Sequence, residues 1–135
     1  MNKILVILST FFLSSVALAE EVGKVTAKGG WFSKDSIGIK AFDDPGMGVT
    51  CYTTYYDRAW SMSDSSSTSI SCRKTGAATS KFSTKSNVFA QSKGWLKTTV
   101  VDRFYDAQRK VLVYLTYTKG AGKSASHSIS VVVVR

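Results

Sequence analysis

The sequence predicts a mainly β fold, an antiparallel curled sheet or partly open barrel or sandwich with one disulfide and little helix. Three observations predict it. The apolar runs are short, rich in β-branched and aromatic residues, and separated by glycine, serine or aspartate. Proline occurs once in 135 residues. Two cysteines sit in alternating segments of a chain that begins with an export signal.

Strands are expected near 21–27, 36–42, 48–56, 69–74, 86–92, 96–105, 111–118 and 126–134. Between the second and third, Asp43-Asp44-Pro45-Gly46 has the composition of a corner. Proline presets φ for the second turn position, the preceding aspartate caps the turn through its side chain, and glycine accepts positive φ. In the third, "GVTCYTTYY" places Val49, Cys51, Thr53 and Tyr55 on one face. "YDRAWSM" is expected to make at most one helical turn around Trp60, and "SDSSSTS" a loop. In the fourth strand, "SISCRK", Ile70 and Cys72 share a face. Both sulfurs therefore point inward, and a Cys51–Cys72 bridge closing about 20 residues is worth roughly 3 kcal/mol on the chain-entropy argument.

The clearest hairpin is "TTVVDRFYDAQRKVLVYLTYT". Two alternating runs flank Asp106-Ala107-Gln108-Arg109, and the lack of glycine there predicts a four- or five-residue loop on a type I turn. Val111, Val113, Leu115 and Tyr117 fall on one face and Leu112, Tyr114 and Thr116 on the other. Two partly apolar faces predict a central strand. "KGAGKSASHS" is a basic connector before the last strand.

The N-terminus reads Met1-Asn2-Lys3, then the charge-free "ILVILSTFFLSSVALA", then Glu20-Glu21. A basic start, an apolar middle and the small-x-small Ala17-Leu18-Ala19 make residues 1–19 a signal peptide cleaved after Ala19. The strongly apolar part is shorter than the ~20 residues a spanning helix needs, so no transmembrane segment is expected after cleavage. Residues 20–135 are then a single domain, 116 of the 135 residues, placed in the periplasm or secreted. Removing Lys3 from a formal charge of +9 leaves 17 basic against 9 acidic side chains, or +8. That balance suits an anionic envelope component as partner, or serves only solubility. Export argues against nucleic acid, and a monomer is expected.

No motif specifies a reaction. Neither cysteine has the Cys-x-x-Cys setting of a thiol oxidoreductase, and two separated cysteines with one histidine make no zinc site. "GAGKS" at 120–124 lacks the first glycine of a phosphate loop, because Tyr117 stands there. No Gly-x-Ser-x-Gly elbow is present. No metal, cofactor or catalytic residue is assigned. His127, the one histidine, falls in line with Ile129, Val131 and Val133 as a core or edge residue. Asp102, Arg103, Asp106 and Arg109 crowd the hairpin as turn caps and charge pairs, or as an anion clamp led by Arg103 and Arg109. Trp31, Phe32, Trp60 and Trp95 fill the core or line a pocket.

"EEVGKV", "IKAFDDP", "VTCYTTY", "SISC" and "DRFYDAQRKVLVYLTYT" occur in the order found in the CreA family of small exported bacterial proteins, and the chain resembles that family over most of its mature length. The resemblance implies a periplasmic protein and assigns no reaction. It marks Asp43, Asp44 and Pro45, Cys51 and Cys72, and Arg103, Phe104, Tyr105, Asp106 and Arg109. The segment between the cysteines is shorter than the family's, with "SDSSSTS" in place of a glycine-rich stretch, and the chain stops at "VVVVR".

The expected function is a non-enzymatic, exported domain that binds a ligand or an envelope protein partner. Its candidate binding residues are Asp43, Asp44, Arg103, Tyr105, Asp106 and Arg109. The alternative is an enzyme pairing Asp43 or Asp44 with His127 as acid and base.

Overall fold

The computed structural model describes residues 19–29, 34–57, 68–93, 97–120 and 126–134. The signal segment 1–18, the single helical turn around Trp60, and Trp31, Phe32 and Trp95 lie outside the described residues, as do most of "SDSSSTS" and of "GAGKS".

Eight strands and no helix occur among the described residues. β1 (Glu20–Gly29), β2 (Lys34–Asp44), β3 (Val49–Asp57) and β4 (Ile70–Lys74) form one antiparallel sheet in that order. β5 (Lys85–Lys93), β6 (Lys97–Asp106), β7 (Val111–Gly120) and β8 (His127–Val133) form a second. Each sheet is an open meander. β7 is central, as its two apolar faces require, and Leu112, Tyr114 and Thr116 are buried while the residues between them are half-exposed.

The sheets meet along one seam and one core. At the seam β4 lies beside β8 without a backbone ladder between them. Serine side chains take the place of the ladder: Ser130 Oγ accepts the Cys72 N–H at 2.9 Å and Ser126 Oγ accepts the Thr68 N–H at 2.9 Å. Inward, Phe42, Val49 and Cys51 of the first sheet pack against Phe89, Val101, Leu112, Tyr114 and Val132 of the second. The Phe42 and Phe89 rings are stacked, 4.6 Å apart and 4° from parallel.

Cys51 and Cys72 are direct cross-strand partners in the β3–β4 register, with Cα atoms 4.0 Å apart, and they form the disulfide that their shared inward face predicts. The bond fastens the five-residue β4 to the sheet. The β6–β7 loop spans four residues between the paired Asp106 and Val111, within the expected length, and Lys110 closes it at φ 53°.

The corner between β2 and β3 occurs at residues 45–48, with Gly46 at φ 83° and Gly48 at φ 67°. Its aspartate does not cap it. The turn closes through the backbone, Met47 N–H to Asp44 C=O at 3.2 Å, because both Asp44 oxygens are engaged across the sheet interface. Gly46 O accepts Thr79 and Ser80 N–H at 3.0 Å each, and Gly48 O accepts Thr75 and Gly76 N–H at 2.8 and 3.1 Å. These bonds hold the 75–84 connection against the corner as it passes from β4 to β5.

Gly38 is buried and pairs with Tyr55, whose ring lies over the position a Cβ would take. Tyr55 extends across β2 and donates to Glu21 on β1 at 3.0 Å. The missing side chain is what admits the ring. Gly38→Val therefore displaces Tyr55 and lowers the unfolding free energy by about 1–3 kcal/mol, the usual range for overpacking. Urea unfolding measures the loss, and a variant as stable as the parent would refute the close approach.

Candidate functional site

Asp44 ends β2 and Arg103 lies near the end of β6, 59 residues on in sequence, and the packing of the sheets brings them together. Arg103 Nη1 stands 2.6 Å from Asp44 Oδ1 and 2.7 Å from Oδ2, with the two side chains 4% and 1% exposed. Tyr114, beside Arg103 on β7, donates its hydroxyl to Asp44 Oδ2 at 2.6 Å. Arg103 also donates from Nε to Ser83 C=O at 2.7 Å and from Nη2 to Ser83 Oγ at 3.0 Å. A buried guanidinium thus meets a carboxylate on one side and the 75–84 connection on the other.

Burial, and then the hydrogen bond to Asp44, push the Tyr114 hydroxyl well above the ordinary tyrosine value of 10.0, so it remains a donor throughout the physiological range. Sequence reasoning did not single out Tyr114. Its signal was local, an even-numbered tyrosine on the buried face of a central strand, where a hydroxyl needs a partner.

The Asp44–Arg103 pair forms the inner end of a cleft of about 290 Å³, walled by Pro45, Gly46, Thr79, Ser80, Lys85, Asn87 and Val88. Thr79 and Ser80 are shared with an open shelf of about 560 Å³ bordered by Ala78, Lys81, Phe82 and Tyr105. Phe82 and Tyr105 pack as a tilted pair with centroids 5.5 Å apart. The electrostatics of the cleft are one-sided. Asp44 is neutralised by Arg103, and no ion pair among the described residues engages Lys81 or Lys85. Among the described residues, no three His, Cys, Asp or Glu side chains gather as a metal site.

The six expected binding residues therefore separate. Asp44 and Arg103 line the cleft and Tyr105 the shelf. Asp43 is exposed on the opposite face of β2 and accepts the Thr50 hydroxyl at 2.6 Å. Asp106 and Arg109 turn to each other at the hairpin tip: Arg109 Nη1 donates to Asp106 Oδ2 at 3.0 Å and Arg109 N–H to Oδ1 at 3.1 Å. Arg109 is thus no partner of Arg103 in an anion clamp.

The side-chain bond from Arg109, and then the backbone one, hold the Asp106 carboxyl below its ordinary value of 3.8. A depressed carboxylate adds stability above its unfolded pKa, and that contribution is lost as pH falls through the folded one. An NMR pH titration should accordingly place the Asp106 midpoint below 3.8 and Arg109→Gln should raise it. An unshifted midpoint would show the tip pair to be absent in solution.

His127 opens β8, exposed, and pairs with Tyr117, three positions along β7 from Tyr114 and so on the opposite face. Asp44 bonds to Tyr114 on the inner face. The sheet stands between His127 and Asp44, and Asp43, the other carboxylate of that alternative, is taken up by the Thr50 hydroxyl on the exposed face of β2.

A family model described as "CreA protein" matches residues 22–135, which include every residue of the cleft and the shelf. The chain belongs to the CreA family. The curated relative Protein CreA of Escherichia coli strain K12 is 32% identical over 143 aligned residues, covering 92% of this chain and 91% of its own length. The Protein CreA sequences of the O6:H1 and O157:H7 strains match to the same extent. No solved structure matches the chain at a significant level. Within the CreA domain described above, the "AFDDP" and "DRFYDA" segments supply the two ends of the buried ion pair. Lys85, Asn87, Ser83 and Tyr114 complete its surroundings without any motif to mark them.

Proposed function

We propose that this CreA-family chain is an exported, non-catalytic binding domain that takes an anionic component of the cell envelope in the cleft beside Arg103. One observation carries the proposal. Lys85 stands at a polar cleft whose one carboxylate, Asp44, is already committed to Arg103 and Tyr114, so an uncompensated cation faces hydroxyl and amide groups. An anion entering there gains charge-assisted hydrogen bonds, and the formal charge of +9 for the full chain favours its approach. The binding site is the cleft and its shelf, with Arg103 and Asp44 as its fixed inner end and Tyr105 at its aromatic side. Asp43, Asp106 and Arg109 serve the corner and the hairpin tip.

Residues 1–19 direct export and are removed after Ala19, which places the domain in the periplasm of a two-membrane cell. No helix among the described residues is long and apolar enough to cross a membrane.

Binding of a panel of anionic glycans and anionic vesicles should weaken steeply as salt rises, because Lys85 is exposed and screened by mobile ions. Lys85→Gln should reduce both the affinity and its salt dependence, while Lys119→Gln, the same loss of charge on the far part of β7, should leave them nearly unchanged. Affinity indifferent to salt, or equal losses from both variants, would remove the cleft from the proposal.

A further inference from the structure

Thr79 and Ser80 line both the cleft and the shelf, so a cationic, polar hollow and an aromatic one adjoin across these two residues and together form one depression for a ligand that spans them. The shelf falls within the ~300–1,000 Å³ typical of small-molecule sites and the cleft lies at its lower edge. At the polar end lie Lys85, Asn87 and the hydroxyls of Thr79 and Ser80, with Arg103 behind them. At the aromatic end lie Phe82 and Tyr105, both half-buried against the core and so held in place, with Lys81 beside them. The Tyr105 hydroxyl has no hydrogen-bond partner among the described residues.

We infer that this depression takes an acidic sugar, a pyranose bearing a carboxylate or phosphate. The inference rests on the anion-binding reading above and adds the ring. A pyranose presents a face of C–H groups, a rim of hydroxyls and, when acidic, one anionic substituent. The depression presents the complement of each: an aromatic pair on the shelf, hydroxyls of Thr79 and Ser80 shared by shelf and cleft, and an amide and an ammonium with no ion-pair partner among the described residues in the cleft. Two rings cover one sugar face and are too short a run for an acyl chain, which favours a sugar over a lipid.

The connection that forms both walls is held by backbone bonds to Gly46 and Gly48 and by Ser83 against Arg103. Thr84 Oγ1 also accepts the Tyr105 N–H at 3.0 Å. The site therefore stands ready before ligand arrives, and less ordering entropy opposes binding.

Calorimetric titration of the exported protein with a hexuronic acid oligosaccharide, a hexose phosphate, a neutral hexose, inorganic phosphate and phosphatidylglycerol vesicles tests this. The acidic sugars are expected to bind at least tenfold more tightly than inorganic phosphate or the neutral hexose. Lys85→Gln should weaken them roughly tenfold, the loss of one charge-assisted contact. Phe82→Leu, which keeps apolar packing beneath the shelf, should weaken the acidic sugars severalfold and leave inorganic phosphate unaffected. If inorganic phosphate binds as tightly as the sugars and ignores Phe82→Leu, the sugar is overturned and the anion site stands. If no anionic probe binds, or vesicles alone bind and Lys85→Gln changes nothing, the anion site falls as well.

Discussion

Replacing Asp44 by alanine should lower the unfolding free energy by about 3–5 kcal/mol, the cost of leaving a buried partner charge uncompensated. The Arg103 side chain is 4% exposed and has no second carboxylate to turn to among its hydrogen-bond partners, which are Asp44 and Ser83. Tyr114 would lose its acceptor in the same step. At roughly 4 °C per kcal/mol, between the values for smaller and larger domains, the melting temperature should fall by more than 10 °C. Asp44→Leu combined with Arg103→Met should recover most of the loss, because exchanging a buried ion pair for apolar groups is often neutral or better. Both ends of the pair come from different sheets, so the cycle measures how firmly the sheets are joined at the cleft. An Asp44→Ala variant within 1 kcal/mol of the parent would mean that water reaches the pair, in contradiction to its burial.

Loss of the Cys51–Cys72 bond should cost roughly 3 kcal/mol for a loop with a sequence separation of 21, as the unfolded chain regains the freedom the bridge removes. Cys51 is fully buried, so alanine is the cleaner replacement at both positions and avoids burying a serine hydroxyl. β4 has five residues, and it carries Ile70 into the core and the Cys72 N–H to Ser130 across the seam. Held to β3 by its short ladder alone, it should be the first segment to exchange its amides. Urea unfolding with and without reductant reads the energy, and hydrogen exchange locates the loosened strand. Intact mass without reductant should show a chain starting at Glu20 and lighter by two hydrogens than the dithiol. Two free thiols with unchanged heat resistance would remove the tether as a source of stability.

Asp44 and Arg103 show where local reasoning stops. "FDDPG" reads correctly as a corner, and the structure sends Asp43 and Asp44 to opposite faces of β2. The expected cap, however, assumed that the carboxylate would serve its own turn. Arg103 is the stronger partner because it is ionised and equally buried, and a backbone hydrogen bond suffices to close the corner. Arg109 fails as an anion clamp for a related reason, since a nearby carboxylate three residues away takes it first. Asp106 does cap its hairpin, accepting the Arg109 N–H.

The β5 bulge is a second case. Strict alternation would send Val88 and Phe89 to opposite faces, yet both are buried. Asn87 adopts φ 54°, its N–H donates to Asp102 Oδ1 at 2.8 Å, and the register shifts between Lys85 and Phe89. A bulge costs little when a side-chain acceptor satisfies the displaced N–H, and that acceptor lies on another strand.

By itself, the sequence determined the strands, the inward faces of β3 and β4, the hairpin loop and the disulfide, because each follows from the two-residue side-chain period and from turn chemistry within a few residues; in β8 the same period misled, since the face of His127, Ile129, Val131 and Val133 is exposed and Val132 and Val134 are buried. Only the tertiary structure decided that the strands divide into two open sheets, that Asp44 is committed to Arg103 and Tyr114, and that Lys85, Asn87, Phe82 and Tyr105 border one depression. Those choices depend on contacts between residues far apart in the chain, where the burial of charge and the packing of rings outweigh any local preference.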